Sequence, residues 1–188
     1  CSESCSKECP IAAALQQLPQ MSFLVGEEKS SCPKTADAMA KKSGKSIHYL
    51  VAEKKYECPT KAREALVDAA EKFVAAYGKP NVCKKSGTIT VAGQKACCPN
   101  TAAATSEILK TAMGTVKMSY VVGEKACECP NMAKQLAKDA GKATEFVVAG
   151  EKTCCNVTAR LNLARAKYKA AVEVLAQAET KIGEQDGS

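Results

Sequence analysis

MSFLVGEEKSSCPKTADAMAKKSGKSIHYLVAEKKYECPTKAREALVDAAEK, residues 21–72, is written a second time as MSYVVGEKACECPNMAKQLAKDAGKATEFVVAGEKTCCNVTARLNLARAKYK, residues 118–169. Laid without gaps at a constant offset of 97, the two stretches agree at 21 of 52 positions. Cys32 falls on Cys129, Pro33 on Pro130, Gly44 on Gly141, Cys58 on Cys155 and Arg63 on Arg160. Shared Pro and Gly punctuation duplicates the backbone plan, so the chain reads as two homologous halves, residues 1–80 and 81–188.

Inside the duplication a shorter phrase recurs: an apolar run, a small-residue turn, a Lys-containing return, then Cys-Pro opening an Ala-rich segment. Met21–Val25 followed by Gly26-Glu27 and Glu28–Ser31 predicts a tight β-hairpin. Cys32 then stands at a helix N-cap, with Pro33 at the first helical position, where Pro is favoured. Gly44 marks the C-terminus of that helix. The phrase returns at Ile47–Tyr77, Thr88–Met113, Met118–Ala140 and Glu145–Ile182, the last with Cys155-Asn156 in place of Cys-Pro. Residues 10–18 form a helix without a hairpin of its own, and residues 81–87, with Cys83, form a linker. The predicted fold is α+β: tandem ββα (hairpin–helix) units in two halves, with small antiparallel sheets covered by helices. Leu66, Ala69, Ala70, Phe73, Val74 and Tyr77 share one face of one helix at spacings of three and four, and Leu161, Leu163, Ala164, Tyr168, Ala171, Val172 and Leu175 supply the apolar content of the last.

Composition narrows the function. The net charge is +7, carried mostly by Lys, with three Arg and no Trp. A nucleic-acid surface interleaves clustered cations with stacking aromatics, so a solvated Lys-rich surface is expected and no nucleic-acid partner. Twelve cysteines in 188 residues, an even number, suit disulfides and an extracytoplasmic setting: periplasm, cell surface or secretion. The same number suits thiolate binding of metal. A chain whose first residue is Cys resembles a processed bacterial lipoprotein, and an acyl group on Cys1 would be its sole membrane attachment.

Six cysteines share one place, immediately before a helix: Cys9, Cys32, Cys58, Cys98, Cys129 and Cys155. A helix N-terminus favours the thiolate, the form that binds soft metals and attacks disulfides. Equally, a small Cys there can serve structure alone, and Cys9, Cys32 and Cys58 are read so. In the second half each place has a companion: Cys97 with Cys98, Cys127 with Cys129, Cys154 with Cys155. These six are the candidate ligands for Cu(I) or Zn. Disulfides between units, or to another protein subunit in a homo-oligomer, are the competing use of the same thiols.

The run from Tyr49 to Cys58, with its aromatic–Glu–Cys step, followed by an Ala-rich helix with Phe73, resembles the YHS/TRASH type of small metal-binding domain. The resemblance extends over each ββα unit and implies binding, sensing or delivery of heavy metals. That type places a second Cys four residues on; here those positions are Ala36, Ala62, Ala102, Ala133 and Ala159. Catalytic constellations are absent: there is no Ser/His/Asp set, phosphate loop or CxxC, and His48 is the sole histidine. The chain is therefore read as non-enzymatic.

Overall fold

The computed structural model describes residues 10–185, and side-chain burial for residues 13–178. Cys1, Cys5 and Cys9, with the expected lipid and the first helix-start thiol, lie outside the described residues.

Strands β1 (Met21–Val25) and β2 (Glu28–Ser30) form a hairpin, followed by helix α2 (Pro33–Ser43); helix α1 (Pro10–Leu15) precedes them. The next unit is β3 (Ile47–Val51), β4 (Lys54–Tyr56) and α3 (Pro59–Tyr77). The middle unit is β6 (Ile89–Val91), β7 (Gln94–Ala96) and α4 (Pro99–Thr115). Then come β8 (Met118–Val122), β9 (Lys125–Cys127) and α5 (Pro130–Ala140), and finally β10 (Thr144–Val148), β11 (Glu151–Thr153) and α6 (Asn156–Gln185). The fold is α+β, with the strand–strand–helix unit repeated through both halves.

The first two hairpins join into one sheet and the last two into another, while the middle hairpin joins neither. The first sheet runs β2-β1-β3-β4 and its counterpart β11-β10-β8-β9, every pairing antiparallel. The register puts Met21, Phe23 and Val25 beside Val51, Tyr49 and Ile47, so one face of the sheet is continuously apolar. That face packs on α2 and α3, burying Phe23, Val25, Val51, Ala36, Ala62 and Leu66. Turn chemistry follows the sequence at most hairpins, with Gly26 at φ 64° and Gly123 at φ 63°. At Ala52-Glu53 both residues adopt positive φ (46° and 66°) without glycine, a conformation that costs strain.

The predicted linker is not wholly irregular. Asn81–Val82 forms a two-residue strand, β5, that pairs with β6. Cys83 then opens a turn closed by Gly87 N–H donating to the Cys83 carbonyl at 2.8 Å. Two residues of backbone pairing leave no periodicity to detect, so the sequence reads as loop. The first helix is shorter than expected, giving way to turns over residues 16–18.

The halves meet through α3 and α6, which pack along one another, with α1 and α4 also laid on α6. Leu18, Ala70, Val74, Ala164, Tyr168 and Val172 form the central cluster. A second cluster joins Val91, Ala102 and Leu109 of the middle unit to Ala171 and Leu175 of α6. Buried Ser106 donates to the Gly78 carbonyl at 2.6 Å, tying the end of α3 to α4.

Candidate functional site

Each described unit delivers its cysteine the same way. The return strand ends, the chain stays extended through one residue, and Pro or Asn begins the helix. Cys32, Cys58, Cys98 and Cys129 are N-caps with φ of −102°, −91°, −154° and −92°. Their carbonyls, and that of Cys155, accept the first intrahelical bond from the Ala four residues on, at 2.9–3.1 Å. Those alanines, Ala36, Ala62, Ala102, Ala133 and Ala159, are 0–2 % exposed. The position that holds a second thiol in YHS/TRASH-type domains is therefore a packing position in this chain, filled by a methyl beneath each hairpin.

The cap thiols themselves face outward. All nine described cysteines are free thiols, exposed or half-buried. Cys32, Cys58, Cys98 and Cys155 have their pKa lowered by the orphan N–H groups and hydroxyls of the first helical turn. For Cys32 the Thr35 N–H is the largest cause, and for Cys58 the Lys61 N–H. For Cys155 it is the Thr158 hydroxyl, with a smaller contribution from the positive charge of Arg63 across the half interface. Cys83, at its own turn, is lowered in the same way by Ser86.

Cys98 goes furthest, to about 7, chiefly through the Thr101 hydroxyl. Its sulfur accepts from Thr101 N–H at 3.5 Å and lies 3.3 Å from Thr101 Oγ1. The Cys97 sulfur lies 3.1 Å from that same oxygen. Two thiols thus converge on one hydroxyl at a helix start, and for Cys98 the N–H groups of that first turn add to the hydroxyl in favouring the anion.

Two residues before the cap, a side chain braces the turn. Cys32 N–H donates to Ser30 Oγ and Cys155 N–H to Thr153 Oγ1, both at 3.2 Å. Cys127 holds the equivalent place before Cys129, with its thiol 3.7 Å from the Cys129 carbonyl. Its thiol has replaced a bracing hydroxyl, and Met132, 55 % exposed, stands where three of the other four units have Thr.

The register also sets how far apart the paired thiols stand. Cys127, Tyr120, Phe146 and Thr153 form one row across the second sheet, from edge to edge. Three interstrand spacings, about 14 Å, separate its ends. Cys127 and Cys129 thus lie at one edge, Cys154 and Cys155 at the other, and Cys97 and Cys98 belong to a different sheet. Among the described residues no three His, Cys, Asp or Glu side chains gather as an ion-holding group. The six second-half thiols therefore stand at three separate helix starts and not in one cluster.

Sequence reading found the thiols and missed what tunes them. Thr35, Thr101 and Thr158 lie three residues after their cysteines, and Ser86 three after Cys83; this recurring C-x-x-T/S spacing was a legible signal. His48 is half-buried on the helix-free face of the first sheet, its Nδ1 enclosed without a partner.

A direct consequence is a pH-dependent thiol. In a Cys97→Ser background, alkylation of Cys98 by iodoacetamide should rise with pH and level off above about 7, and Thr101→Val should move that midpoint towards the unperturbed 9.0. The native state favours the anion, so the stabilisation from the charged cap is complete above pH 9 and lost as pH falls through 7. A midpoint unmoved by Thr101→Val would show that the hydroxyl does not hold the thiolate.

Comparison with family models, curated proteins and solved structures gives no match.

Proposed function

We propose that this chain is a non-enzymatic binder of soft metal ions, using pairs of surface thiolates at helix starts, and that Cu(I) is its preferred ion. The observation that carries this reading is the convergence of Cys97 and Cys98 on Thr101 Oγ1, at 3.1 and 3.3 Å, with the Cys98 pKa drawn to about 7. Deprotonated sulfur near neutral pH is the donor that soft ions select. A structural zinc site closes with four ligands. A single unit here offers two thiols, which favours an ion content with fewer donors. Cys127, Cys129 and the exposed Met132 thioether support the same preference, because three soft sulfur donors fall within six residues at the β9–α5 junction.

The second reading is an extracytoplasmic structural or assembly subunit joined by disulfides. Its support is the outward position of every described thiol, which suits bridges to other chains better than staples through the core.

Reduced, full-length protein titrated anaerobically against the Cu(I)–bathocuproine complex tests both. About three Cu(I) should leave the chelator per chain, one for each second-half pair, and Cys97→Ser/Cys98→Ser should remove one. Failure of the reduced protein to take any copper would overturn the proposal. Protein recovered from its own source with its thiols closed in interchain bridges would favour the second reading.

A further inference from the structure

The duplication leaves one charged position unbalanced. Arg160 on α6 donates to Glu71 at 2.6 and 2.9 Å and to Asp68 at 3.2 Å, both on α3. Shifted by 97 residues, Arg160 corresponds to Arg63, Asp68 to Arg165 and Glu71 to Tyr168. The two positions that give Arg160 its carboxylates are thus held, in the duplicate, by a second arginine and a buried tyrosine. Neither Arg63 nor Arg165 forms an ion pair among the described residues.

Both line one cleft of about 900 Å³ between the halves. Its floor is apolar, with Leu18, Phe23 and Leu66 each no more than 7 % exposed and Leu161 half-buried. Lys169 adds positive charge at the wall, though it also pairs with Glu173 at 3.6 Å. The lining acid, Glu151, accepts from Asn162 at 3.1 Å. Two unpaired guanidiniums above an apolar floor match a carboxylate carried on a hydrocarbon body. Arg reads a carboxylate through paired N–H donors, as Arg160 does with Glu71.

We propose that this inter-half cleft binds an organic carboxylate with an apolar body, its head held between Arg63 and Arg165 where the duplicated site has Asp68 and Glu71. The ligand class differs from that of the thiols, although Arg63 also helps to lower the pKa of Cys155, whose partner Thr158 lines the same cleft.

Isothermal titration of the full, reduced chain with decanoate, acetate and decanol tests it. Decanoate should saturate one site. Acetate, which lacks the apolar body, and decanol, which lacks the charge for the guanidiniums, should each bind at least about tenfold more weakly. Arg165→Asp would give Arg63 the carboxylate that Arg160 already has. It should abolish decanoate binding while leaving the thermal midpoint unchanged or raised, and Arg165→Gln should weaken binding with the fold intact by circular dichroism. Absence of saturation by decanoate, equal binding of decanol, or undiminished binding by both folded variants would overturn the assignment.

Discussion

Tyr168→Ala is expected to destabilise the protein by about 3–5 kcal/mol, the range for removing a large buried aromatic. Tyr168 is 0 % exposed and is the residue through which the halves grip one another. Its ring stands edge-on to Phe73 at 5.2 Å and to Tyr77 at 4.7 Å, both from the first half. Its hydroxyl donates to Gln17 Oε1 at 3.4 Å, and burial, then Tyr77, pushes its pKa up to about 12. Domains of this size are stable by roughly 5–15 kcal/mol, so the loss consumes a large share of the total. Urea denaturation followed by circular dichroism measures it. Tyr168→Phe keeps the ring and forfeits only the hydroxyl, a loss of about 1 kcal/mol. If the alanine variant lost less than the phenylalanine one, the half interface would not depend on this ring.

Leu109→Ala should cost about 2–5 kcal/mol, through lost transfer energy and the cavity left behind. Leu109 is fully buried where α4 meets α6, among Val91, Ala102, Ala171 and Leu175. Gly78, at the end of α3, approaches it so closely that an added Cβ there would stand 3.5 Å from the Leu109 Cβ and 3.1 Å from Met113. The side chain therefore joins three helices, and Met113, the flexible neighbour packed on this cluster, decides how far the space refills and so where in that range the loss falls. Hydrogen exchange should show protection lost first in α4 and the β6–β7 hairpin, whose core contact is with α6 through this cluster. Uniform loss across both halves would instead mean that the middle unit and the rest unfold as one.

Much of this was legible in the residues. The hairpins are marked by Gly26-Glu27, Gly123-Glu124 and Ala92-Gly93, the helix starts by Cys-Pro, and the helix ends by Gly44 and Gly141. Gly44 and Gly141 both adopt left-handed φ, 66° and 61°, and donate to the carbonyls of Ala40 and Ala137. The apolar face of α3 was readable because helical periodicity is local. Val67, fully buried beside that face, was missed, because burial there is set by neighbours outside the helix. The paired thiols were visible; their hydrogen-bonded tuning by Thr101 and Thr158 was visible only as an unremarked spacing.

The chain's residues by themselves determined the repeat, the order of the hairpins and helices, the apolar face of α3 and the thiol at each helix start. Such properties depend on φ/ψ preference, capping and side-chain period, all of which act over a few neighbours. Only tertiary structure decided that the first two and the last two hairpins join, and so that Cys129 and Cys155 stand at opposite edges of one sheet, outside the reach of one ion. It alone set Arg160 against Asp68 and Glu71 while leaving Arg63 and Arg165 together over a cleft. Strand order and helix docking are chosen by the register that buries most apolar surface across distant segments, and a duplicated sequence carries no local record of which copy it will meet.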